Sequence, residues 1–180
     1  QSLKAVQQIE GIPPKVAYRA IAHDGSGNLY VATSVDVFMI PSNNNRAQPM
    51  SVGDQIMDVD WSPDYGLILL SKDGSIRFTA TGKVLTVDAG TGATCMDVTK
   101  TMIWVGTNNG VSTVSKQKKK VVKQYTTADG ILASNEITFI HTDPSGIRWI
   151  GSRAGVVRID GKKWKLYEKE QAITGITSTA

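Results

Sequence analysis

Two histidines and a small group of aspartates are the side chains in this sequence that could carry out acid–base chemistry or hold a metal ion. His23 and His141 stand near the ends of strand-like apolar runs, and histidine titrates closest to neutral pH. Asp58, Asp60 and Asp97 lie on or beside similar runs, where they could line a channel or bond to backbone. We favour the backbone role, so the sequence predicts no catalytic residue and no metal site.

Motifs that indicate an enzyme or a cofactor site are missing from the sequence. It contains no Gly-x-Ser-x-Gly turn, paired-cysteine zinc pattern or phosphate-binding glycine loop. The single cysteine, Cys95, lies in an apolar run and is interpreted as a buried hydrophobe. Asp24-Gly25-Ser26-Gly27-Asn28 lacks the later glutamate of a calcium loop and is interpreted as a turn. We therefore predict a protein that is not an enzyme and needs no cofactor.

Charge and hydropathy restrict the partners. The formal net charge is +4, and part of the excess lies in Lys116-Gln117-Lys118-Lys119-Lys120. No aromatic residue interleaves with these lysines, as a nucleic-acid stacking platform would require. We interpret the cluster as a solvated hairpin tip and predict no nucleic-acid partner. No apolar run approaches the roughly 18 residues of a membrane helix, so no membrane span is predicted.

The elements that carry these side chains come from an internal repeat. One strand pattern recurs with Tyr30, Ile68, Trp104 and Trp149 at the same position, a spacing of about 40 residues that is typical of four-stranded propeller blades. Six positions later stands a tight turn, as in Asp73-Gly74 and Asn109-Gly110. The sequence thus predicts an all-β fold of about four β-propeller blades, each a four-stranded antiparallel meander. The ranges are 1–15 for a lead-in outer strand, 16–51, 52–88, 89–132 and 133–171 for blades 1 to 4, and 172–180 for the start of a further blade.

The tight turns are also the candidate ligand-binding site. They place polar side chains at one level of the propeller, suited to hydrogen-bonding a sugar or a peptide. The turn chemistry alone accounts equally well for their Asn and Asp content. The predicted ligand-binding residues are Asp36, Lys72, Asp73, Asn108, Asn109 and Arg153.

The aromatic residues at the repeated position have a structural interpretation. Trp104 and Trp149 each stand two residues before a glycine, Gly106 and Gly151, so the indole and the glycine share one face of the strand. A glycine there permits close approach of a neighbouring sheet. We therefore predict that both tryptophans pack between sheets rather than bind a ligand.

The repeats resemble the two-component regulator propeller repeat of bacterial sensor proteins. The fourth repeat matches that pattern at Asn135, Ile137, Asp143, Gly146, Trp149-Ile150-Gly151-Ser152, Gly155-Val156, Trp164 and Tyr167. The third repeat matches at Trp104-Val105-Gly106-Thr107, Gly110-Val111 and Tyr125, and lacks the preceding Asp-x-x-Gly. The second is weak, because Ile68-Leu69-Leu70-Ser71 replaces the aromatic residue and the glycine.

The resemblance implies a ligand-binding or sensor module of a bacterial envelope two-component regulator. It implies a periplasmic or extracellular location and recognition of carbohydrate fragments. The alternative is a non-enzymatic interaction scaffold of an envelope or secretion complex. A propeller lyase or glycosidase is least favoured, because no acid–base pair is evident in the sequence.

Counting strands gives an expectation about partners. Leu3 to Glu10 and Ile173 to Thr177 resemble leftover strands outside four complete blades. Four blades in an open arc would expose the apolar faces of the end blades. We expect either the remainder of a larger propeller or self-association of two arcs.

Overall fold

The computed structural model describes residues 9–53, 55–81, 83–86 and 92–168. These residues form four separate antiparallel sheets, each with four strands in sequential order. Each sheet is a meander joined by short turns, so it is one blade of a β-propeller. The predicted all-β propeller fold is confirmed.

The strands are numbered in chain order, four to a blade. Blade 1 contains β1 Tyr18–His23, β2 Leu29–Thr33, β3 Val37–Ile40 and β4 Gln48–Pro49. Blade 2 contains β5 Ile56–Ser62, β6 Gly66–Ser71, β7 Ser75–Phe78 and β8 Lys83–Thr86. Blade 3 contains β9 Ala93–Val98, β10 Met102–Thr107, β11 Gly110–Ser115 and β12 Lys120–Tyr125. Blade 4 contains β13 Ile137–Thr142, β14 Arg148–Ser152, β15 Gly155–Asp160 and β16 Lys163–Glu168. Two short 3-10 helices, Thr79–Thr81 and Thr127–Asp129, lie in connections.

The pairing register places the repeated position at equivalent points of the four blades. Tyr30 pairs with Ala22, Ile68 with Asp60, Trp104 with Asp97 and Trp149 with His141. Every sheet lies within the range predicted for its blade. The predicted lead-in strand and the further inner strand fall mainly on 1–8 and 169–180, outside the described residues.

Each inner strand contains one extra residue at the same point. The register between the first two strands of a blade shifts at Arg19, Met57, Thr94 and Thr138. Such a β-bulge bends the strand and turns the extra side chain away from the ladder. Two of these side chains reach the next blade: Arg19 Nη1 donates to the Ile56 carbonyl oxygen at 2.7 Å, and Thr94 Oγ1 donates to the Ile137 carbonyl oxygen at 2.9 Å.

The core consists of apolar layers between successive blades. Ala32 and Val37 of blade 1 pack on Val59 and Leu67 of blade 2, and similar layers join blade 2 to blade 3 and blade 3 to blade 4. The hydrophobic effect therefore holds the blades face to face, since each sheet buries most of its apolar side chains against a neighbour.

The glycine at the end of the repeated strand allows this close packing. A Cβ at Gly106 would stand 2.6 Å from both Cys95 Sγ and Ile137 Cγ2, closer than van der Waals contact allows. Trp104 stacks on Tyr125 with ring centroids 5.8 Å apart and also contacts Trp164 of blade 4. The prediction that Trp104 packs between sheets is confirmed. Trp149 packs on Tyr167 of its own blade at 6.5 Å.

The four blades form an open arc. The inner strands β1, β5, β9 and β13 pack against one another in that order, whereas β13 and β1 do not pack together in the same way. The far face of blade 1 is covered in part by Ile9 and Ile12, which pack on Val31 and Phe38. Blade 1 therefore has no blade before it within the described chain.

Candidate functional site

The candidate site lies along one edge of the four blades, where the turn between the second and third strands of each blade is found. This edge is called the turn end of the blades. All six predicted residues stand in these four turns. Lys72, Asp73, Asn108, Asn109 and Arg153 are exposed, and Asp36 is half-buried. The structure thus places the predicted residues at one end of the blades, on separate turns.

A hydroxyl group closes three of the four turns. Thr33 Oγ1 donates to the Asp36 carbonyl oxygen at 2.8 Å, and Thr107 Oγ1 donates to the Gly110 carbonyl oxygen at 3.0 Å. Ser152 Oγ makes the same bond to Gly155 at 3.0 Å. In these three blades the threonine or serine at the end of the second strand therefore fixes the turn from which the exposed side chains project.

Asp36 is committed to its own blade. Its Oδ1 accepts hydrogen bonds from the backbone N–H groups of Val37 and Val52, both at 2.9 Å, and its Oδ2 accepts one from Ser51 at 2.8 Å. The carboxylate therefore connects the turn to the segment that leaves blade 1. These bonds use most of its capacity as an acceptor.

The side chains of blades 2 and 3 are freer. Asp73 Oδ1 accepts a hydrogen bond from the Ser75 backbone N–H at 2.8 Å, and hydrogen bonding to Ser75 lowers the pKa of the Asp73 carboxyl group. Asn108 and Asn109 anchor their turn through backbone groups: Asn108 N–H donates to the Gly92 carbonyl oxygen at 3.0 Å, and Asn109 N–H donates to Thr107 Oγ1 at 2.9 Å. Both residues are exposed, and the Asn108 side chain lies beside Gly92.

Arg153 has a partner that no pattern in the sequence indicates. Its Nε lies 2.6 Å from Glu136 Oε2, and the two side chains are 77% and 50% exposed. The Arg153 backbone N–H also donates to the Glu136 carbonyl oxygen at 3.2 Å. Glu136 comes just before the inner strand of blade 4 and is part of no sequence motif. Only the fold therefore shows that it lies beside Arg153 at the turn end of the blades.

The inner-strand aspartates bond to the backbone of the following blade. Asp58 Oδ2 accepts a hydrogen bond from the Met96 N–H at 2.6 Å, and Asp60 Oδ2 accepts one from the Val98 N–H at 3.2 Å. Asp97 accepts from the Thr142 N–H at 2.9 Å. The three carboxylates therefore link blade 2 to blade 3 and blade 3 to blade 4. The favoured backbone role agrees with these bonds.

Burial raises the pKa of Asp58 to about 7, and the nearby carboxylates of Asp60 and Asp97 also raise it. Hydrogen bonds from Met96 and Val59 act in the opposite direction. Burial likewise raises the pKa of Asp60 and, to about 12, that of the Cys95 thiol. The raised pKa of Asp58 therefore follows from its burial between the blades, and the backbone hydrogen bonds that link the blades offset part of the shift.

Lys116 is buried, so the interpretation of the whole lysine cluster as a solvated tip is wrong for this residue. Its side chain is enclosed between blades 2 and 3, where Nζ donates to Ser62 Oγ at 3.0 Å and to the Thr99 carbonyl oxygen at 3.1 Å. The same Nζ lies 5.0 Å from the centre of the Tyr65 ring. Lys118 and Lys120 are exposed, as predicted for a hairpin tip.

The remaining candidates for chemistry have ordinary surroundings. Asp24 closes its turn by accepting hydrogen bonds from the Ser26 and Asn28 N–H groups at 2.8 and 3.0 Å. His23 is exposed, with Nδ1 3.3 Å from the Asp24 carbonyl oxygen. In the part of the chain that the structure describes, no three His, Cys, Asp or Glu side chains come together as a metal site would need.

Within the described residues, no helix has the length and apolarity that crossing a membrane requires.

Comparisons with known proteins point to one fold. The sequence matches no family model and no curated protein. Two structures of one extracellular domain from B. thetaiotaomicron, described as part of a one-component system in one case and of a hybrid two-component system in the other, superpose with TM-scores of 0.72 and 0.71 at 14% and 15% identity. They cover 94% and 89% of this chain, which spans 24% and 22% of theirs. The chain therefore corresponds to about a quarter of that domain.

Virginiamycin B lyase from Staphylococcus aureus has the same architecture. It superposes with a TM-score of 0.66 at 14% identity over 86% of this chain and 56% of its own. At these identities the likeness concerns the fold and not the activity. With four sequential four-stranded sheets and these neighbours, the chain is identified by its fold as a run of four β-propeller blades.

Proposed function

We propose that this chain is a ligand-binding sensor module of a bacterial envelope protein, on its periplasmic or extracellular side. The proposal is supported by the propeller fold that it shares with the extracellular domains of the B. thetaiotaomicron systems. The sequence resemblance to two-component regulator propeller repeats leads to the same class.

The ligand would bind at the turn end of the blades. The observation that carries this proposal is that adjacent turns, each fixed by a hydroxyl or a backbone bond, present exposed amide, ammonium, carboxylate and guanidinium groups. Such a set can donate and accept hydrogen bonds without strong net charge, as Lys72 and Arg153 are balanced by Asp73 and Glu136. Sugar hydroxyl groups require both donors and acceptors, so we propose a carbohydrate fragment as the ligand.

Asp36 is left out of the proposed contacts. Its carboxylate accepts three backbone N–H groups at 2.8 to 2.9 Å, so a ligand would have to compete with the fold for it. The proposed contact residues are Lys72, Asp73, Asn108, Asn109 and Arg153, with Glu136 added beside Arg153.

We propose no catalytic role. The aspartates with raised pKa values, Asp58 and Asp60, direct their oxygens to backbone N–H groups of their own and the next blade. A general acid or base must instead reach the substrate with an oxygen. The likeness to virginiamycin B lyase therefore supports the fold alone.

Titration calorimetry with a panel of oligosaccharide fragments tests the proposal. We expect one fragment class to bind. Asn108→Ala and Arg153→Ala should each raise the dissociation constant of that fragment at least about tenfold, because each removes hydrogen bonds to the ligand. Both residues are exposed, and the ion pair of Arg153 is of the surface type that adds little to stability, so a loss of binding would not reflect unfolding.

The matched controls are Lys118→Ala and Lys120→Ala at the opposite end of blade 3, which should bind the fragment unchanged. Binding that depends on these lysines and not on Asn108 or Arg153 would refute the proposed face. If no fragment binds, the carbohydrate proposal is refuted and the alternative function, a non-enzymatic interaction scaffold, is favoured.

A further inference from the structure

The blade 1 face that points away from blade 2 exposes apolar side chains that the other blades bury. Tyr18, Ile21 and Leu29 are 65%, 68% and 39% exposed. They lie on the first two strands of the blade, β1 and β2. Apolar groups clustered in this way on a soluble protein mark an interaction surface.

The register of the repeat shows what covers this face elsewhere. Tyr18 pairs with Thr33 as the first residue of its inner strand, and its equivalents in blades 2, 3 and 4 are 2%, 3% and 2% exposed. Ile21 pairs with Val31, and its equivalents are 4%, 6% and 7% exposed. The equivalents of Tyr18 are Ile56, Ala93 and Ile137, and those of Ile21 are Val59, Met96 and Ile140.

In each of the three later blades the preceding blade does the covering. Ile56 and Val59 pack on Ala22 and Ala32 of blade 1, and the same layer recurs between the later blades. The exposed face of blade 1 is thus one half of an interface that the molecule builds three times. The shape it fits is the far face of another propeller blade.

We propose that the occupant is blade 4 of a second copy of this chain. The face of blade 4 away from blade 3 carries aromatic side chains at positions that cover a following blade elsewhere: Trp149 is equivalent to Trp104, which packs on Trp164 of the next blade. Tyr167 stacks beside Trp149. These rings supply the apolar area that Tyr18, Ile21 and Leu29 need.

Two arcs joined in this way close each other. Each copy uses its blade 1 face and its blade 4 face once, so a two-fold axis relates the two contacts and leaves no end open. The product is a ring of eight blades, within the range of about four to eight that propellers adopt. This inference concerns assembly and is independent of the proposed ligand.

Sedimentation velocity on the full chain over a micromolar concentration range is the test. We expect the wild-type chain to sediment as a dimer, and the double variant Ile21→Asp, Leu29→Asp to sediment as a monomer. Two carboxylates buried in an apolar interface are strongly unfavourable, so the dimer dissociation constant should rise at least about a hundredfold.

The matched control is Val122→Asp, which introduces a carboxylate at a valine that is 45% exposed on β12 of blade 3. It should remain a dimer, and circular dichroism should show the same β-sheet signal for both variants. A wild-type chain that stays a compact monomer, or a dimer that survives the change at Ile21 and Leu29, would overturn the inference. Titration calorimetry on the monomeric variant reads ligand binding separately, so failure of one proposal does not imply failure of the other.

Discussion

Replacing Asp97 by alanine should destabilise the fold far more than replacing a surface aspartate. Asp97 lies on the inner strand of blade 3, and its carboxylate accepts hydrogen bonds from the Thr142 N–H at 2.9 Å and the Thr142 hydroxyl at 2.6 Å. Its Oδ2 also lies 3.3 Å from Arg148 Nε. All of these donors belong to blade 4, so one side chain holds two blades together.

The magnitude follows from the groups left without a partner. The side chains of Arg148 and Asp97 are only 13% and 12% exposed, so water replaces the lost contacts poorly. An unsatisfied backbone N–H costs about 1–3 kcal/mol, and removing one partner of a buried ion pair costs about 3–5 kcal/mol. Because the pair is not fully buried, we expect Asp97→Ala to lower the free energy of unfolding by about 3 kcal/mol.

Urea unfolding followed by circular dichroism measures this change, with the slope of free energy against urea checked for constancy. The control is Asp160→Ala, which removes an aspartate paired with Arg158 at 3.0 Å where the side chains are 54% and 28% exposed. Exposed pairs contribute about 0–1 kcal/mol. If the two variants lose similar stability, the carboxylate links between blades are not important to the fold.

Three further changes test other parts of the account. Gly106→Ala should cost about 1–3 kcal/mol of unfolding free energy through overpacking, measured by urea unfolding, whereas Gly25→Ala, which has no atom within 4 Å of the new Cβ, should cost little. Burial raises the pKa of Asp58 from an ordinary 3.8 to about 7, so the stability that this group contributes is present below about pH 4 and is lost as the pH rises through 7. From pH 5 to 8 the wild type should therefore lose roughly 2–4 kcal/mol of unfolding free energy relative to Asp58→Asn. Lys116→Met should lower the free energy of unfolding by about 1–3 kcal/mol, because it leaves buried acceptors without a partner. The loss should appear as a lower thermal midpoint, and Lys118→Met should leave the midpoint unchanged.

The repeat is why the fold could be predicted from the sequence. Turn signals such as Asp73-Gly74 and Asn109-Gly110 fix two-residue hairpins locally, and the aligned Tyr30, Ile68, Trp104 and Trp149 set the register between them. Both features depend on neighbours within one blade, and the four observed sheets lie within the ranges predicted for the blades. The outer strand of blade 1 is the exception in length, since it contains only Gln48–Pro49.

Contacts between blades could not be predicted in the same way. Lys116 belongs by sequence to a lysine run, and its burial depends on Ser62, Thr99 and Tyr65 lying against it in the folded chain. Asp36 is a residue type typical of turns, yet its carboxylate accepts a hydrogen bond from the Ser51 backbone N–H. Such pairings join residues far apart in sequence, and no local pattern encodes them.

Hydrogen–deuterium exchange with and without a bound oligosaccharide tests the central claim most directly, because it locates the ligand on the blades. We expect slower exchange in the turns around Lys72, Asn108 and Arg153, with no change at the hairpin tip that carries Lys118. Protection confined to that hairpin tip, or spread over the inner strands with the turns unaffected, would contradict a sensor site at the turn end.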